Sequence, residues 1–362
     1  MAFGVYVHVP FCASRCDYCD FATWTDRDHL IGAYVAACVG DIQRRYAGGG
    51  LPPATSVFFG GGTPSLLPGD LLARILDAIP RGPGAEVTVE CNPESTDPGK
   101  LAVWREAGVN RLSFGVQSLQ PRVLVSLGRL HDPALAVRAV DRARAAGFDN
   151  FNLDLIYGAA GETRDAWHAT LEGALALDPP HVSAYALTVE PGTPLARRVA
   201  AGDVAGPDDD DQAAKYEMAD DILTAAGLAW YEISNWARPG RECAHNLLYW
   251  EQGEYLGVGC AAHGHTIHPD GTARRWWNVR TPERYIAAVE RGESPEGGSE
   301  TLDATTREAE AVTLALRTRT GVDSGHDAGL VGAGLAVWRE GRLVLTRSGR
   351  LLANDATIRL VS

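Results

Sequence analysis

Long apolar runs, a basic amino-terminal region and an excess of positive charge are all missing from this 362-residue chain. No apolar run approaches the ~20 residues of a membrane-spanning helix. The opening "MAFGVYVHVPFC" has neither the basic region nor the cleavage site of a signal peptide. The net charge of −13 gives no overall attraction to nucleic acid or to an anionic membrane. These absences predict a cytoplasmic protein without a transmembrane segment or a nucleic-acid partner.

Cysteine is also scarce, and its pattern is informative. The seven cysteines are an odd number without the spacing of a disulfide framework, so free thiols or metal ligands are expected. Cys12, Cys16 and Cys19 stand together in "CASRCDYC", and no fourth cysteine follows. A cubane iron–sulfur cluster usually takes four thiolates. The C-x3-C-x2-C spacing therefore predicts a cluster in which one iron has no protein ligand and is open to an amine and a carboxylate, as in the methionyl end of S-adenosylmethionine (SAM).

Two alternatives to a cluster remain open for these cysteines. They can be three free thiols, or they can form a zinc site with His8 or His29 as the fourth ligand. We favour the cluster because the spacing coincides with a second feature. The cysteines follow the first candidate strand, and in βα barrels the carboxyl ends of the strands carry the chemistry.

Short β-branched runs alternate with helix-like segments over the first half of the chain, which predicts a parallel sheet with right-handed crossovers. Six such units favour an α/β fold with a partial barrel over a closed eight-unit barrel. The candidate strands are "VYVHV" (5–9), "SVFFG" (56–60), "EVTVEC" (86–91), "RLSFGV" (111–116), "FNLDLI" (151–156) and "HVSAYAL" (181–187). The candidate helices between them include "DLLARILDAIP", "PALAVRAVDRARAAG" and "RDAWHATLEGALALDP".

The pattern changes twice after this region, which predicts three domains. The barrel core with the cysteine loop covers residues 1–200, and a barrel extension containing "HNLLYW" covers 201–299. The last domain, 300–362, begins with a helix and continues as a hairpin followed by a short strand, so it is α+β and similar to a winged helix. Its arginines and acidic residues are balanced, which favours a structural or protein-contact module over a DNA-binding one.

In combination, the motifs resemble a known family. The cysteine spacing, with Tyr18 before the last cysteine, is similar to the signature of radical SAM proteins. The stretches "YVHVPFC", "FFGGGTPS", "VTVECNPE", "RLSFGVQS", "FNLDLIYG" and "EPGTPL" resemble the oxygen-independent coproporphyrinogen III oxidase lineage over nearly the whole chain. The resemblance implies a partial (β/α)6 TIM-like radical SAM barrel, with a 4Fe-4S cluster on Cys12, Cys16 and Cys19 and SAM on the open iron.

The resemblance also implies which residues contact SAM, and each has a physical reason. Glycines after the second strand let the backbone approach the ligand. Arg129 can pair with its carboxylate, and Glu90 can accept a hydrogen bond from a ribose hydroxyl. Asp154 can reach the ribose or Arg129. Each residue alone also fits a purely structural role, but their recurrence at successive strand ends favours a site. The full set is Tyr6, Tyr18, Gly60, Gly61, Gly62, Thr63, Glu90, Gln117, Arg129 and Asp154.

Two differences separate this chain from the oxidases of the lineage. The oxidases have a further cysteine where this chain has Phe21, and they have a long segment before the first strand, which here begins close to Met1. Both differences, and "HNLLYW" (245–250), resemble the haem-chaperone branch often called HemW. That resemblance implies a protein that binds haem and passes it to acceptor proteins. The alternatives are an active coproporphyrinogen III oxidase and a zinc-bound interaction scaffold without a cluster.

The residue that would bind haem is less defined by sequence. His245 is the candidate axial ligand, with Tyr249 and Trp250 placed to stack on the macrocycle. The alternative is a packed histidine that bonds a backbone carbonyl. The other candidate ligands are Cys243, Cys260, His263 and His265. The expected partners are haem and haem-accepting apoproteins such as respiratory enzymes, and a homodimer is compatible with the sequence.

Overall fold

The structure is a computed structural model that describes residues 2–129, 132–323 and 325–361. Met1 and Ser362, the outer limits of the first and last predicted domains, lie outside the described residues. Twelve strands form one sheet, and two more form a hairpin. The strands are β1 (Phe3–Val9), β2 (Ala54–Gly61), β3 (Arg81–Cys91), β4 (Arg111–Gln117), β5 (Phe151–Tyr157), β6 (His181–Ala186), β7 (Ala229–Glu232), β8 (Asn235–Ala237), β9 (Glu254–Val258), β10 (His263–Ile267), β11 (Ala273–Asn278), β12 (Glu296–Leu302), β13 (Ala336–Arg339) and β14 (Arg342–Leu345).

The sheet has the order β12-β11-β10-β9-β1-β2-β3-β4-β5-β6-β8-β7. All six predicted strands are confirmed as β1 to β6, and they pair in parallel in chain order. A seventh parallel strand, β9, pairs with the other side of β1. Antiparallel strands continue the sheet beyond β9 and β6. Within the described chain the two end strands do not pair with each other, so the predicted partial barrel is confirmed.

Thirteen α-helices are described, and the three helices predicted from periodicity are confirmed as α2, α5 and α6. None of the described helices has both the length and the apolar character of a transmembrane span. The helices are α1 (Ile31–Ala47), α2 (Gly69–Asp77), α3 (Pro98–Ala107), α4 (Pro121–Ser126), α5 (Ala134–Ala145), α6 (Arg164–Leu175), α7 (Pro194–Ala200), α8 (Asp209–Ala225), α9 (Ala244–Trp250), α10 (Pro282–Glu290), α11 (Ala304–Ala315), α12 (Arg347–Leu351) and α13 (Ala353–Val361).

The two faces of the barrel strands differ in chemistry, because successive side chains on a strand point to opposite faces. One face is apolar and belongs to the main core; Val5 of β1 and Phe59 of β2 are fully buried there. The other face, inside the barrel, carries buried polar groups that satisfy one another. Asn152 Nδ2 donates to Ser113 Oγ at 2.8 Å, and Asn152 Oδ1 lies 2.6 Å from His181 Nδ1. This polar interior leads to the carboxyl ends of the strands.

The last part of the chain has its own small core, which includes Leu316, Leu330 and Leu343. The predicted helix is α11, and the predicted hairpin is β13–β14. The predicted short strand after the hairpin is wrong, because residues 347–361 form α12 and α13. Helix begins there because the Thr346 hydroxyl caps α12 by accepting a hydrogen bond from the Gly349 backbone N–H at 3.1 Å.

Candidate functional site

A cavity of about 390 Å³ lies at the carboxyl ends of the parallel strands, directly under the cysteine loop. It is the place where the topology brings most of the predicted site residues together. The predicted residues that line it are Cys12, Cys16, Tyr18, Cys19, Gly61, Gly62, Thr63, Glu90, Gln117, Arg129 and Asp154. Of the residues predicted to contact SAM or to ligate haem first, Tyr6, Gly60 and His245 do not line it.

The base of the cysteine loop is fixed by backbone hydrogen bonds. Cys12 N donates to Trp24 O at 3.0 Å, and Trp24 N donates to Pro10 O at 2.8 Å, so the two ends of the loop are tied together. The turn after β2 is held against the same strand: Gly62 N donates to Val9 O, and Thr63 N donates to Phe11 O, both at 2.8 Å. The loop is therefore presented as a closed unit above the cavity.

Glycine is required at the point where this turn passes the loop. A Cβ on Gly62 would lie 2.7 Å from Val9 O and 2.8 Å from Phe11 O, distances that real Cβ atoms essentially never show, and it would lie 3.1 Å from Cys12 Sγ. The neighbouring Gly61 has φ +105°, a conformation that residues with a Cβ rarely adopt. The "GGGT" turn therefore allows backbone to approach the thiols and any ligand bound beside them.

The outer part of the loop is anchored by residues that the sequence interpretation did not assign to the site. Leu195 N donates to Asp17 O at 2.8 Å, and Arg198 forms an ion pair with the Asp17 carboxylate at 2.7 Å. The motif "EPGTPL" contains the sequence signal for this anchor, because its Thr193 caps α7 and so sets the position of Leu195. This motif supports the cysteine loop from the side opposite the "GGGT" turn.

The three cysteines fit a cluster better than a single metal ion. No group of three or more His, Cys, Asp or Glu side chains in the described residues is placed to hold one ion. His8, an alternative zinc ligand, has Nε2 2.9 Å from Ala22 O and Nδ1 3.2 Å from the Tyr6 hydroxyl, so neither ring nitrogen is free. A tetrahedral ion needs converging donors, whereas each thiolate of a cubane binds a different iron.

Burial also shapes the chemistry of the thiols. Desolvation raises the pKa of Cys12 and of Cys19. Hydrogen bonds that favour their thiolates lower the pKa of each, but by less than desolvation raises it. Thr63 Oγ1, for example, lies 3.6 Å from Cys12 Sγ. Thiols of this kind stay protonated until a metal centre displaces the proton, which is the behaviour expected of cluster ligands rather than of a reactive free cysteine.

Two half-buried carboxyl groups, those of Glu90 and Asp154, form one wall of the cavity. Burial, with a smaller contribution from the charge of Asp154, raises the pKa of Glu90 to about 8, although the Gly61 N–H donates to Glu90 Oε2 at 3.2 Å. Burial likewise raises the pKa of Asp154, and hydrogen bonds from Ser113 and Asn152 oppose that rise. Glu90 is therefore mostly protonated at neutral pH, and its carboxyl can both donate and accept hydrogen bonds.

Arg129 lines the cavity and is held there by Asn92, a residue that the sequence did not predict to belong to the site. Its Nη1 donates to Asn92 Oδ1 at 3.0 Å, and Asn92 Nδ2 donates to Thr63 Oγ1 at 3.3 Å. Arg129 Nε is buried without a hydrogen-bond acceptor in the described structure. The suggested contact of Asp154 with Arg129 is not among its hydrogen bonds, which go to Ser113 and Asn152. The guanidinium is left to bind an anion in the cavity.

Gln117 ends β4 in a strained conformation. Its φ is +63°, which is uncommon for a residue with a side chain, and it is buried at the cavity wall. Such strain is concentrated at ligand-binding positions, where the surrounding structure enforces it. Its predicted role in ligand binding stays a prediction, but its location agrees with it.

Tyr6 and His245 are among the predicted residues that do not line this cavity. Tyr6 points into the barrel and lines a neighbouring cavity instead. His245, on α9, is 1% exposed, and its Nδ1 and Nε2 lie 2.9 Å from Ser56 Oγ and from the Tyr249 hydroxyl. Binding of a haem iron by His245 would require one of these buried hydrogen bonds to break.

The neighbouring cavity has a volume of about 550 Å³ and adjoins the first one. Phe21 and Gly61 line both. Its walls are rich in aromatic, imidazole and guanidinium groups. The residues with these groups are Tyr6, His8, Phe21, Tyr249, Tyr255, His263, His265, Arg275 and Arg280. Sequence reasoning named His263 and His265 as candidate ligands, but it did not predict that they share a cavity beside the cysteine loop.

Comparisons with known proteins agree with this geometry. Residues 6–174 match the radical SAM superfamily. The chain is 45% identical to heme chaperone HemW of Mycobacterium tuberculosis, over 99% of this chain and 94% of the relative. It is 34% identical to heme chaperone HemW of Bacillus subtilis, over 97% of both. The structure of Escherichia coli coproporphyrinogen III oxidase, HemN, a radical SAM enzyme, aligns with TM-score 0.85 at 22% identity, covering 100% of this chain and 90% of HemN, which establishes the shared fold.

Proposed function

Because the chain belongs to the HemW family of radical SAM proteins, we propose that it is a haem chaperone, which binds haem and transfers it to acceptor proteins. The observation that carries the proposal is the adjacency of two cavities. One is built from the residues expected to hold a cluster and SAM, and the other is large and aromatic, as suits a flat macrocycle.

The first cavity is proposed to hold a 4Fe-4S cluster on Cys12, Cys16 and Cys19 together with SAM. When bound, the cluster supplies a Lewis-acidic iron and a source of one electron. The protein residues bind SAM and orient it beside the cluster. Arg129 offers its guanidinium to the SAM carboxylate, and Glu90 offers a largely protonated carboxyl to the ribose. Gly61 and Gly62 leave space for the ligand against the backbone.

The oxidase alternative uses the same first cavity, and Phe21 is the residue that argues against it. Phe21 stands where the oxidases carry a further cysteine, and its side chain is 57% exposed at the boundary of the two cavities. An exposed phenyl ring there is suited to pack on a hydrophobic ligand. We therefore propose chaperone activity as the main function, with any oxidation of coproporphyrinogen III absent or minor.

The remaining parts of the proposal concern partners and organisation. The acceptors are proposed to be haem-requiring apoproteins such as respiratory enzymes, and the site of action is the cytoplasm. We keep the division into residues 1–200, 201–299 and 300–362 as a proposal about function. In this division the C-terminal module contacts the acceptor or a second copy of the chain.

The test is anaerobic reconstitution with iron and sulfide, followed by titration with haem. We expect a brown protein with absorbance at ~400 nm, near-stoichiometric haem in a pyridine haemochromogen assay, and transfer of that haem to a haem-free acceptor. The same preparation is tested for release of 5′-deoxyadenosine and for conversion of coproporphyrinogen III. A fully loaded cluster without haem uptake contradicts the proposal, and rapid decarboxylation favours the oxidase. Zinc in place of iron favours the scaffold alternative.

A further inference from the structure

The second cavity is formed by parts of the chain that are distant in sequence. Its floor is one face of the antiparallel extension, on which His265 pairs with Tyr255 of β9 on one side and with Arg275 of β11 on the other. Leu314 of α11 lines the cavity as well, and Phe21 of the cysteine loop stands at its boundary with the first cavity. A ligand held here would lie beside the cysteine loop without entering the first cavity.

His265 is the side chain in this cavity whose geometry suits a metal ligand. It is only 5% exposed, and its Nδ1 lies 2.9 Å from the carbonyl oxygen of Gly253. A carbonyl can only accept, so Nδ1 carries the proton and Nε2 carries the lone pair. Nε2 makes no hydrogen bond to any described residue, although the side chain lines the cavity. Histidines that bind metals usually have this arrangement, with the other ring nitrogen donating to a carbonyl or carboxylate.

The other two candidate histidines are less suited. His245 has both ring nitrogens in hydrogen bonds and does not line the cavity. His263 lines the cavity, but it is exposed, and its ring is oriented only by a tilted contact with Trp277 at 6.0 Å between centroids. His265 alone combines a fixed orientation with an unused nitrogen.

The cavity also offers a cation for the acidic side chains of haem. Arg275 is already paired with Glu300 at 2.7 Å and with Glu310 at 3.2 Å. Arg280 is exposed at the cavity, and it forms no ion pair within the described residues. A free guanidinium at the rim can pair with a propionate while the macrocycle packs on the aromatic walls.

We infer that haem binds in this second cavity with His265 Nε2 as an axial ligand, Phe21 against the macrocycle and Arg280 at a propionate. The inference rests on the proposed haem-chaperone function and specifies its site. It places the haem beside the cysteine loop, and it leaves His245 of "HNLLYW" a structural role.

The test compares four full-length proteins with reconstituted clusters: wild type, His265→Ala, His245→Ala and His268→Ala. His268 is an exposed histidine on the turn after β10 and is the matched control. Haem is titrated into each, and the Soret position, the ligand-field spectrum and the haemochromogen count are recorded. We expect His265→Ala to weaken haem binding at least about tenfold and to change the coordination spectrum. Exogenous imidazole should restore the spectrum. His245→Ala and His268→Ala should keep the wild-type spectrum.

A second variant covers the case in which His265→Ala does not fold. Leu314→Trp fills the cavity without touching the Gly253 hydrogen bond, and it should reduce haem uptake while the cluster content stays at the wild-type level. Failure of wild type to bind haem would overturn the proposed function. Normal binding by wild type together with unchanged spectra in His265→Ala, or unchanged uptake in Leu314→Trp, would overturn the inference alone. So would loss of the axial ligand in His245→Ala.

Discussion

Ser56 Oγ lies 2.9 Å from His245 Nδ1 and joins the start of β2 to α9. A Cβ on Gly4, at the start of β1, would lie 3.0 Å from the His245 ring and 2.5 Å from Leu248. The motif "HNLLYW" therefore closes the barrel at the amino ends of its strands. The cysteine loop lies at the opposite ends, so the two most distinctive motifs of the chain are separated by the barrel interior.

This packing predicts a specific pH dependence. Burial lowers the pKa of His245 to about 3 from its ordinary 6.5, so between these values the unfolded chain binds a proton that the folded chain does not. The stability contributed by neutral His245 is therefore present above pH 6.5 and is lost as the pH falls towards 3. The free energy of unfolding of wild type and His245→Asn, measured by urea denaturation from pH 7.5 to 4.5, should show a gap that narrows in acid. A gap that is constant with pH contradicts this assignment.

The cysteine loop gives a second prediction. Serine at Cys12, Cys16 or Cys19 should each abolish stable cluster binding, because a serine hydroxyl is a poor replacement for a thiolate ligand. Iron and sulfide content and the absorbance at ~400 nm measure the result. Cys38→Ala is the matched control, since Cys38 is buried in α1 and should leave the iron content unchanged. Unchanged iron after serine substitution would exclude these cysteines as the ligands.

A pair of glycines gives a third prediction. Gly62→Ala would push a Cβ to 2.7 Å from Val9 O and 2.8 Å from Phe11 O, so the loop must shift. We expect lower cluster occupancy and weaker SAM binding, measured by iron content and equilibrium dialysis. Gly32→Ala is the control: it is exposed in α1 with nothing within 4 Å of the new Cβ. It should raise stability by about 0.5–1 kcal/mol. Equal occupancy in the two variants would show that the close approach at Gly62 is unimportant.

The attachment of the C-terminal module gives a fourth prediction. Asp220 of α8 accepts hydrogen bonds from Arg350 at 2.7 Å, Arg347 at 2.9 Å and Trp236 at 2.9 Å. Both Asp220 and Arg350 are buried, so Asp220→Ala leaves an unpaired buried guanidinium, at a cost of roughly 3–5 kcal/mol. Chemical denaturation measures the loss of stability, and limited proteolysis of residues 304–361 measures the loss of their attachment.

Asp221→Ala is the control for this ion pair. Asp221 is the exposed second partner of Arg347, and removal of an exposed pair costs less than about 1 kcal/mol. Similar losses in Asp220→Ala and Asp221→Ala would mean that the buried contact does not hold the module in place.

The sequence interpretation was correct where the signal lies within one segment. Alternation of β-branched residues located β1 to β6, and the cysteine spacing located the loop above the carboxyl ends. It was wrong for residues 347–361, where "LTRSGRLLAND" was interpreted as a continuing strand pattern. The Thr346 cap and the close approach of Gly349 to Leu335 O, which leaves no room for a Cβ, are contacts that turn this segment into helix.

The sequence by itself determined the barrel strands and the three clustered thiols, because hydrophobic periodicity and ligand spacing are properties of short segments. The tertiary structure alone decided which histidine has a ring nitrogen without a hydrogen bond to the described residues. His245 bonds Ser56, 189 residues away, through Nδ1 and Tyr249 through Nε2, whereas only Nδ1 of His265 is bonded, to Gly253. A partner as distant as Ser56 leaves no local pattern, and the two cavities with their shared boundary at Phe21 form only when the sheet has assembled.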